Sequence, residues 1–153
     1  MDANQKQKDT NVGKLGLLHG KLSYDLQGCI FRVANKYGKG LKEIIYQKAL
    51  EEELVSKGVT FESQKRINIY SIDSGKVLGT YVPDLIVGDA IIVEIKATSY
   101  PIQQDLEQQL SYLRASKYEV GYLANFATPK LYLKRLIYTN NRKPFIQKIS
   151  ANL

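Results

Sequence analysis

The sequence predicts an α/β fold, in which a mixed central β-sheet is flanked by α-helices. Two short runs of mostly β-branched residues lie on either side of Gly88-Asp89, a pair typical of the tight turn between antiparallel strands. Segments with apolar residues at helical spacing stand before and after this pair. Two further strand-like runs follow towards the end of the sequence. The chain therefore mixes the two periodicities that a sheet covered by helices requires.

Three helices are predicted from apolar residues at helical spacing. The first begins at residue 23, capped by Ser23 or Asp25, and ends at Gly38-Lys39-Gly40. The second spans residues 41–57, and the third runs from about residue 102 to residue 115. The residues predicted to face inward are Leu26, Ile30, Val33 and Tyr37 in the first helix, Leu41, Ile44, Ile45, Ala49 and Leu54 in the second, and Ile102, Leu106, Leu110 and Leu113 in the third.

The strands are predicted from apolar runs bounded by turn residues. Two long strands over residues 59–70 and 77–87 form a hairpin around Asp73-Ser74-Gly75. A third strand follows Gly88-Asp89 and ends near Lys96, and two more cover residues 119–126 and 131–138. Residues 1–20 are polar and interrupted by glycine, so we expect a flexible N-terminal arm followed by a single domain over residues 21–153.

Composition limits the classes of function. The 153 residues suffice for one domain with a core, and the net charge of +7 with a pI near 9.4 suits either a polyanion-binding protein or an ordinary basic soluble one. No apolar run approaches the roughly 20 residues of a membrane helix, and the first residues lack the apolar segment of a secretory signal. The single cysteine, Cys29, excludes an intrachain disulfide framework and a cysteine-rich metal site. We therefore expect a cytoplasmic protein without a membrane partner.

Charged residues interrupt the strand that follows Gly88-Asp89. Glu94 and Lys96 lie two residues apart and so point to the same face of the sheet. Charges in a buried strand are costly unless they are paired or bind a metal. Asp84, on the preceding strand, is a second carboxylate that the hairpin brings beside Glu94. Two acids and a lysine at one end of a sheet indicate a divalent-metal phosphodiesterase site, at which Asp84, Glu94 and the backbone carbonyl of Ile95 would ligate Mg²⁺.

Two helical residues each allow two interpretations. Glu43 lies in the first turn of the second helix, where it either complements the helix dipole or adds a carboxylate to a metal site. Gln109 lies among the inward residues of the third helix, where it is either a hydrogen-bonded core amide or part of a site. Sequence position alone favours the helix-dipole interpretation for Glu43 and the core-amide interpretation for Gln109.

Several motifs together resemble the PD-(D/E)xK nuclease superfamily. Pro83-Asp84 is followed about ten residues later by Glu94-Ile95-Lys96. Gly40-Leu-Lys-Glu43-Ile-Ile-Tyr46-Gln-Lys-Ala-Leu50 is similar to the motif that names the GxxExxxR proteins, a small branch of this superfamily. One departure is that Gln47 occupies the arginine position of that motif.

The resemblance implies a restriction-endonuclease-like core and a nuclease activity. Glu43, Asp84, Glu94, Lys96 and Gln109 match the family's site positions. Glu43 would join the metal shell directly or through water, and Mn²⁺ would substitute for Mg²⁺. Lys96 would position the attacking water, and Gln109 would orient that water or a DNA phosphate. Because Gln109 matches a position of RecB-like exonuclease domains, the resemblance further implies an exonuclease that acts on single-stranded DNA.

Other exposed groups are candidates for contact with DNA. Tyr100 is predicted to stack on bases, and Lys65, Arg66 and Lys130 are candidates for contact with phosphates. A solvent-facing position is favoured for Lys65 and Arg66, and a charged edge strand explains Lys130 equally well. A structure-selective endonuclease of the junction resolvase type and a non-catalytic nucleic-acid-binding protein are alternatives. The sequence leaves the oligomeric state open, with a homo-oligomer among the options.

Overall fold

The structure, a computed structural model, describes residues 18–151. Residues 1–17 of the predicted arm lie outside the described residues. The described residues form the helices α1 (Gly20–Tyr37), α2 (Glu43–Lys57), α3 (Gln103–Arg114) and α4 (Phe145–Ala151), the strands β1 (Phe61–Ser63), β2 (Ile67–Tyr70), β3 (Val77–Tyr81), β4 (Leu85–Val87), β5 (Ile91–Lys96), β6 (Val120–Asn125) and β7 (Tyr132–Ile137), and a 3₁₀ turn at Asn140–Arg142.

The central sheet is mixed and has the strand order β1-β4-β5-β6-β7. β4 and β5 form the predicted antiparallel pair, in which Leu85 lies opposite Val93. β5 and β6 run parallel, with Lys96 beside Asn125, and α3 is the connection that a parallel pair requires. β2 and β3 form a separate two-stranded sheet. This architecture confirms the predicted α/β fold with a mixed central sheet.

The two faces of the central sheet bury different side chains, because alternate residues of a strand point to opposite sides. Leu85, Val93 and Tyr122 pack in one apolar cluster with Leu26 of α1 and Leu50 of α2. On the other face, Ile86 and Ile92 share a smaller cluster with Leu113 of α3. Glu94 and Lys96 alternate with Val93, so they belong to the α3 face at the end of β5.

The two long strands of the sequence prediction are wrong, because each is broken into two. Gln64, with a φ of 57°, separates β1 from β2, and Pro83 separates β3 from β4. β1 pairs with β4 in the central sheet while β2 pairs with β3 outside it. Proline has no amide hydrogen to donate to a ladder, so Pro83 lies where pairing stops. The predicted turn at Asp73-Ser74-Gly75 does connect β2 with β3.

Parts of the predicted helices are also corrected. α1 begins at Gly20, so Ser23 is a buried helical residue and not a cap, and Tyr37 at the other end is 46% exposed. In α2, Ile44 and Ile45 are 52% and 43% exposed, not inward. The buried residues of α2 are Tyr46, Gln47, Ala49, Leu50 and Leu54.

Tyr46 explains the orientation of α2. Its ring stacks on Phe126, with ring centroids 4.4 Å apart and planes 7° from parallel. This contact turns Tyr46 towards the sheet and the two preceding isoleucines towards solvent. In α3, Gln109 and Leu113 are buried, whereas Ile102, Leu106 and Leu110 keep part of their surface exposed. None of the described helices is long and apolar enough to cross a membrane.

Candidate active site

Two carboxylates meet at the carboxyl-terminal half of β5, as the predicted hairpin requires. Asp84 immediately precedes β4, and its Oδ2 accepts a hydrogen bond of 2.8 Å from the backbone amide of Ile95. Because Leu85 lies opposite Val93, the next pair outward is Asp84 and Glu94. Pro83 ends the pairing of the preceding strand and leaves the Asp84 side chain free to reach β5. The sheet therefore brings both acids to one end of the same strand.

A third carboxylate approaches this strand end from the other helical layer. Glu43 is the first residue of α2, and its Oε1 accepts a hydrogen bond of 3.3 Å from the amide of Ala97, just beyond β5. Its charge acts on Asp84, Glu94 and Lys96. Glu43 thus lies at the candidate site as well as at the positive end of its helix.

Lys96 forms an ion pair that the sequence analysis missed. Its Nζ lies 3.3 Å from Oδ1 of Asp105, which belongs to the first turn of α3. Asp105 stands four residues before Gln109, so both lie on one face of that helix. This spacing is the signal that would have indicated Asp105 once Gln109 was placed at the site. The cluster contains four carboxylates around one ammonium group.

Gln47 is a second residue whose contact was not predicted. Its side chain is 5% exposed, and Nε2 donates a hydrogen bond of 3.3 Å to the backbone carbonyl of Asp84. Gln47 occupies the position at which the GxxExxxR motif has arginine. In this chain a neutral amide supports the backbone of the first acid, so no extra positive charge enters the cluster from α2.

Gln109 faces inward, as predicted, but its amide nitrogen is hydrogen-bonded to the backbone of β6. Nε2 donates a hydrogen bond of 3.0 Å to the carbonyl of Tyr122, and the side chain is 1% exposed. The carboxamide lies against Gly121, where an added Cβ would be 3.0 Å from Cδ of Gln109. Oε1 is buried and has no hydrogen-bond partner in the described part of the chain. An oxygen accepts from water but not from a phosphate, so of the two predicted roles the free atom suits the water.

The electrostatics of the cluster disfavour negative charge. Burial raises the pKa of Glu94 from 4.5 to about 7; Lys96 opposes this rise, and Asp105 and Glu43 add to it. Burial also raises the pKa of Asp84, against the hydrogen bond from Ile95. Burial alone would lower the pKa of Lys96, but the neighbouring carboxylates, Asp105 first, outweigh it and raise this pKa.

The donor atoms fit a hard cation such as Mg²⁺. Glu94 Oε1 is buried without a hydrogen-bond partner among residues 18–151, and the other available atoms are carboxylate and carbonyl oxygens. Within the same residues, no three His, Cys, Asp or Glu side chains stand close enough to hold an ion by themselves. An ion beside Asp84 and Glu94 would therefore complete its shell with a backbone carbonyl such as that of Ile95 and with water, which Mg²⁺ retains readily.

The predicted DNA-contacting residues fall at opposite ends of the sheet. Tyr100, 79% exposed, and Lys130, also exposed, belong to the loops that follow β5 and β6, at the end that carries Glu94. Lys65 forms ion pairs with Glu62 and with Asp89, in the turn at the other end of β5, roughly 20 Å away by strand length.

Hydrogen bonds show where Arg66 and the Tyr100 loop are held. Arg66 donates a hydrogen bond of 3.3 Å to the Thr80 hydroxyl, beside the separate β2–β3 sheet. The loop that carries Tyr100 is anchored by Asn125, whose carboxamide accepts from the Thr98 amide at 3.2 Å and donates to the Thr98 carbonyl at 2.9 Å. Tyr100 therefore projects from a loop whose base is fixed to β6.

A mixed sheet with acids and one lysine gathered at a strand end is the arrangement expected of a metal-dependent phosphodiesterase. A family model of the PD-(D/E)XK nuclease superfamily matches residues 20–136, and the chain belongs to this superfamily. The predicted superfamily is thereby confirmed. Its GxxExxxR branch and the RecB-like subtype stay predictions.

Solved structures give a more distant likeness. The crystal structure of an alkaline exonuclease from Laribacter hongkongensis is similar at a TM-score of 0.41 and 14% identity, over 80% of this chain and 83% of that one. The same exonuclease in complex with dAMP is similar at a TM-score of 0.40 and 13% identity, over 80% and 81% of the two chains. No curated protein matches the chain.

Proposed function

We propose that the protein is a Mg²⁺-dependent DNA nuclease that hydrolyses phosphodiester bonds, acting as an exonuclease on single-stranded DNA. One observation carries the metal-dependent part of the proposal: Glu94 has a buried oxygen without a partner and stands among three other acids. A buried carboxylate in this position is costly unless a cation compensates it. Membership of a nuclease superfamily supplies the reaction class.

The acids would hold the ion from two strands and one helix. Asp84 has one oxygen fixed by the Ile95 amide, and its backbone carbonyl is supported by Gln47, so its carboxylate is oriented before anything binds. Glu94 contributes its unpartnered oxygen, and Glu43 acts directly or through water. When bound, a divalent ion polarises the scissile phosphate and lowers the pKa of a water molecule.

Lys96 and Gln109 would handle the attacking water. The ammonium group of Lys96 carries hydrogen-bond donors and a charge that offsets the phosphate, and Asp105 holds it from α3 at 3.3 Å. Gln109 offers an acceptor oxygen, because its nitrogen is bound to Tyr122. Both side chains belong to the α3 face of the sheet, so they would approach the phosphate from one side.

The preference for a single strand rests on Tyr100. Its ring is 79% exposed on a loop anchored by Asn125, and exposed aromatic rings serve single-strand-binding proteins as stacking platforms. A duplex keeps its bases stacked inside and offers such a ring nothing to stack on, except at a frayed end. We therefore expect an unpaired strand to enter the site more readily than a duplex.

The test is to incubate the protein with an end-labelled single-stranded oligonucleotide, the matching duplex and a single-stranded circle, each with Mg²⁺ or with EDTA. The proposal predicts mononucleotides from the linear single strand in Mg²⁺ and an intact circle. Cuts in the circle would replace the exonuclease by an endonuclease. DNA binding without cleavage in either Mg²⁺ or Mn²⁺ would refute the enzymatic proposal. The variant Asp84→Ala serves as the control for a contaminating nuclease.

A further inference from the structure

We propose that the loop between α1 and α2 binds the sugar–phosphate backbone of the DNA strand through the exposed ammonium groups of Lys39 and Lys42. This inference rests on the proposed function, because it assigns the path that the substrate follows beside the candidate site. None of the motifs that support the nuclease assignment includes these two lysines as functional groups.

The distribution of uncompensated positive charge points to this loop. Most described basic side chains have an acid, a carbonyl, a hydroxyl or an aromatic ring as a partner; Lys36 with Glu53 and Lys48 with Glu51 are examples. Among residues 18–151, the exposed lysines that make no such contact are Lys39, Lys42, Lys57, Lys76, Lys130 and Lys134. Such groups are free to neutralise a ligand's phosphates without first losing a partner.

Three of these six lysines border the candidate site. Lys42 immediately precedes Glu43, whose carboxylate accepts the Ala97 amide at the end of β5. Lys39 stands three residues earlier in the same loop, and Lys130 belongs to the loop after β6, at the same end of the sheet. Cations from two loops thus lie at the end of the sheet that carries the acidic cluster, which would otherwise repel a polyanion.

The loop is tied to the strand end and does not have to be ordered by the ligand. The hydroxyl of Tyr46 donates a hydrogen bond of 2.6 Å to the carbonyl of Gly38 and accepts one of 3.2 Å from the amide of Leu41. The Tyr46 ring stacks on Phe126, whose amide in turn donates to the carbonyl of Lys96 at 2.9 Å. A loop held in place loses less conformational entropy on binding.

Glycine is required on both sides of Lys39. Gly38 and Gly40 have φ values of 60° and 110°, and a Cβ added to either would meet nothing within 4 Å. The backbone conformation and not crowding therefore demands glycine here. The turn presents Lys39 to solvent beside the site, and the open space around both glycines leaves room for a strand to approach.

The experiment measures DNA affinity without turnover. Fluorescence anisotropy of a labelled single-stranded oligonucleotide is followed in EDTA for the parent, for Lys39→Ala/Lys42→Ala and for Lys57→Ala/Lys76→Ala. The second pair removes the same charge, but Lys57 ends α2 at about 22 Å from its start, and Lys76 precedes the separate strand β3.

We expect the Lys39→Ala/Lys42→Ala variant to bind DNA about tenfold more weakly at every sequence tested. The slope of log affinity against log salt should become shallower by about 1.4, which corresponds to the loss of two single-strand phosphate contacts. The control pair should change affinity less than about twofold. Equal losses in both pairs, or no DNA binding by the parent, would overturn the inference. Lys39→Arg/Lys42→Arg should retain binding, which separates lost charge from a disturbed loop.

A parallel cleavage assay in Mg²⁺ separates this inference from the proposed function. If the parent binds DNA through the loop but does not cleave it, the enzymatic proposal fails and the binding surface stands. If the parent cleaves DNA and Lys39→Ala/Lys42→Ala has the parent's KM, the binding surface fails and the enzymatic proposal stands. The inference predicts a raised KM with an unchanged kcat, the mark of lost ground-state binding.

Discussion

Glu94 is expected to destabilise the metal-free protein at neutral and alkaline pH. Its pKa is about 7 in the folded chain, against 4.5 for an ordinary glutamate, chiefly because the carboxylate is buried. A carboxyl group with a raised folded pKa binds its proton more tightly in the folded than in the unfolded state. Stability therefore falls as the pH rises from about 4.5 to about 7 and stays low above that. The difference between a pKa of 4.5 and one of about 7 corresponds to about 3 kcal/mol.

The substitution Glu94→Gln tests this magnitude, because it keeps the shape of the side chain and removes its titration. At pH 8 in EDTA we expect the variant to exceed the parent in free energy of unfolding by up to about 3 kcal/mol, and the excess to shrink towards pH 4.5. Urea unfolding followed by circular dichroism measures both values. Glu52→Gln, at an exposed position of α2, is the matched control and should show no such pH dependence.

Mg²⁺ provides the complementary measurement. An ion that binds the folded state stabilises it by mass action, so the parent at pH 8 should gain stability on addition of Mg²⁺ while Glu94→Gln gains little. A variant that is no more stable than the parent at pH 8, or an excess that is the same at pH 4.5 and pH 8, would refute the burial argument for this carboxylate.

Other predictions concern activity and packing. Asp84→Ala and Lys96→Ala should each remove Mg²⁺-dependent cleavage while circular dichroism shows a folded chain; parental rates in both would mean that the site is misassigned. Glu43→Ala should lower the rate by roughly 10–100-fold without abolishing it, as for a residue acting through water, and an unchanged rate would return it to a dipole role. Gly121→Ala should lower the free energy of unfolding by about 1–3 kcal/mol in a urea titration, since its Cβ would lie 3.0 Å from a buried side chain of α3. Gly28→Ala is the control, because Gly28 lies in the interior of α1 and the nearest neighbour of an added Cβ would be 3.7 Å away; it should raise the free energy of unfolding by about 0.5–1 kcal/mol. A loss of stability in both variants would show that crowding at Gly121 is not the cause.

The site residues that could be predicted from the sequence all belong to one hairpin. The Gly88-Asp89 turn fixes the register of β4 and β5, and that register places Asp84 opposite Glu94 without any long-range information. Alternation along β5 then sets Lys96 on the same face. Local geometry alone is sufficient to place these three residues together, so the sequence identifies them without knowledge of tertiary contacts.

The residues that sequence missed depend on tertiary contacts. Asp105 gains its importance from a lysine on another element, and within α3 only its spacing from Gln109 distinguishes it from an ordinary first-turn acid. The exposure of Ile44 and Ile45 follows from the stacking of Tyr46 on Phe126, about eighty residues away in sequence. Helical spacing gives an apolar stripe but does not decide between neighbouring faces when both contain large side chains.

The broken strands have a local cause. Residues 59–70 and 77–87 each read as one apolar run and do pair with each other, but the pairing is interrupted between β1 and β2 and between β3 and β4. Pro83 gave a local signal of the second break, because it cannot donate to a ladder. The first break is at Gln64, which has a positive φ, and no glycine or proline at that position signals the break in the sequence.

The most direct measurement is a titration with Mn²⁺, followed by electron paramagnetic resonance of the free ion, for the parent, Asp84→Asn and Glu94→Gln. Asp25→Asn, which loses an acid of α1 paired with Lys21, is the control. We predict that the parent and the control bind Mn²⁺ alike and that each site variant binds at least about tenfold more weakly. A parental Mn²⁺ affinity in both site variants would contradict the claim that these two acids bind a divalent cation.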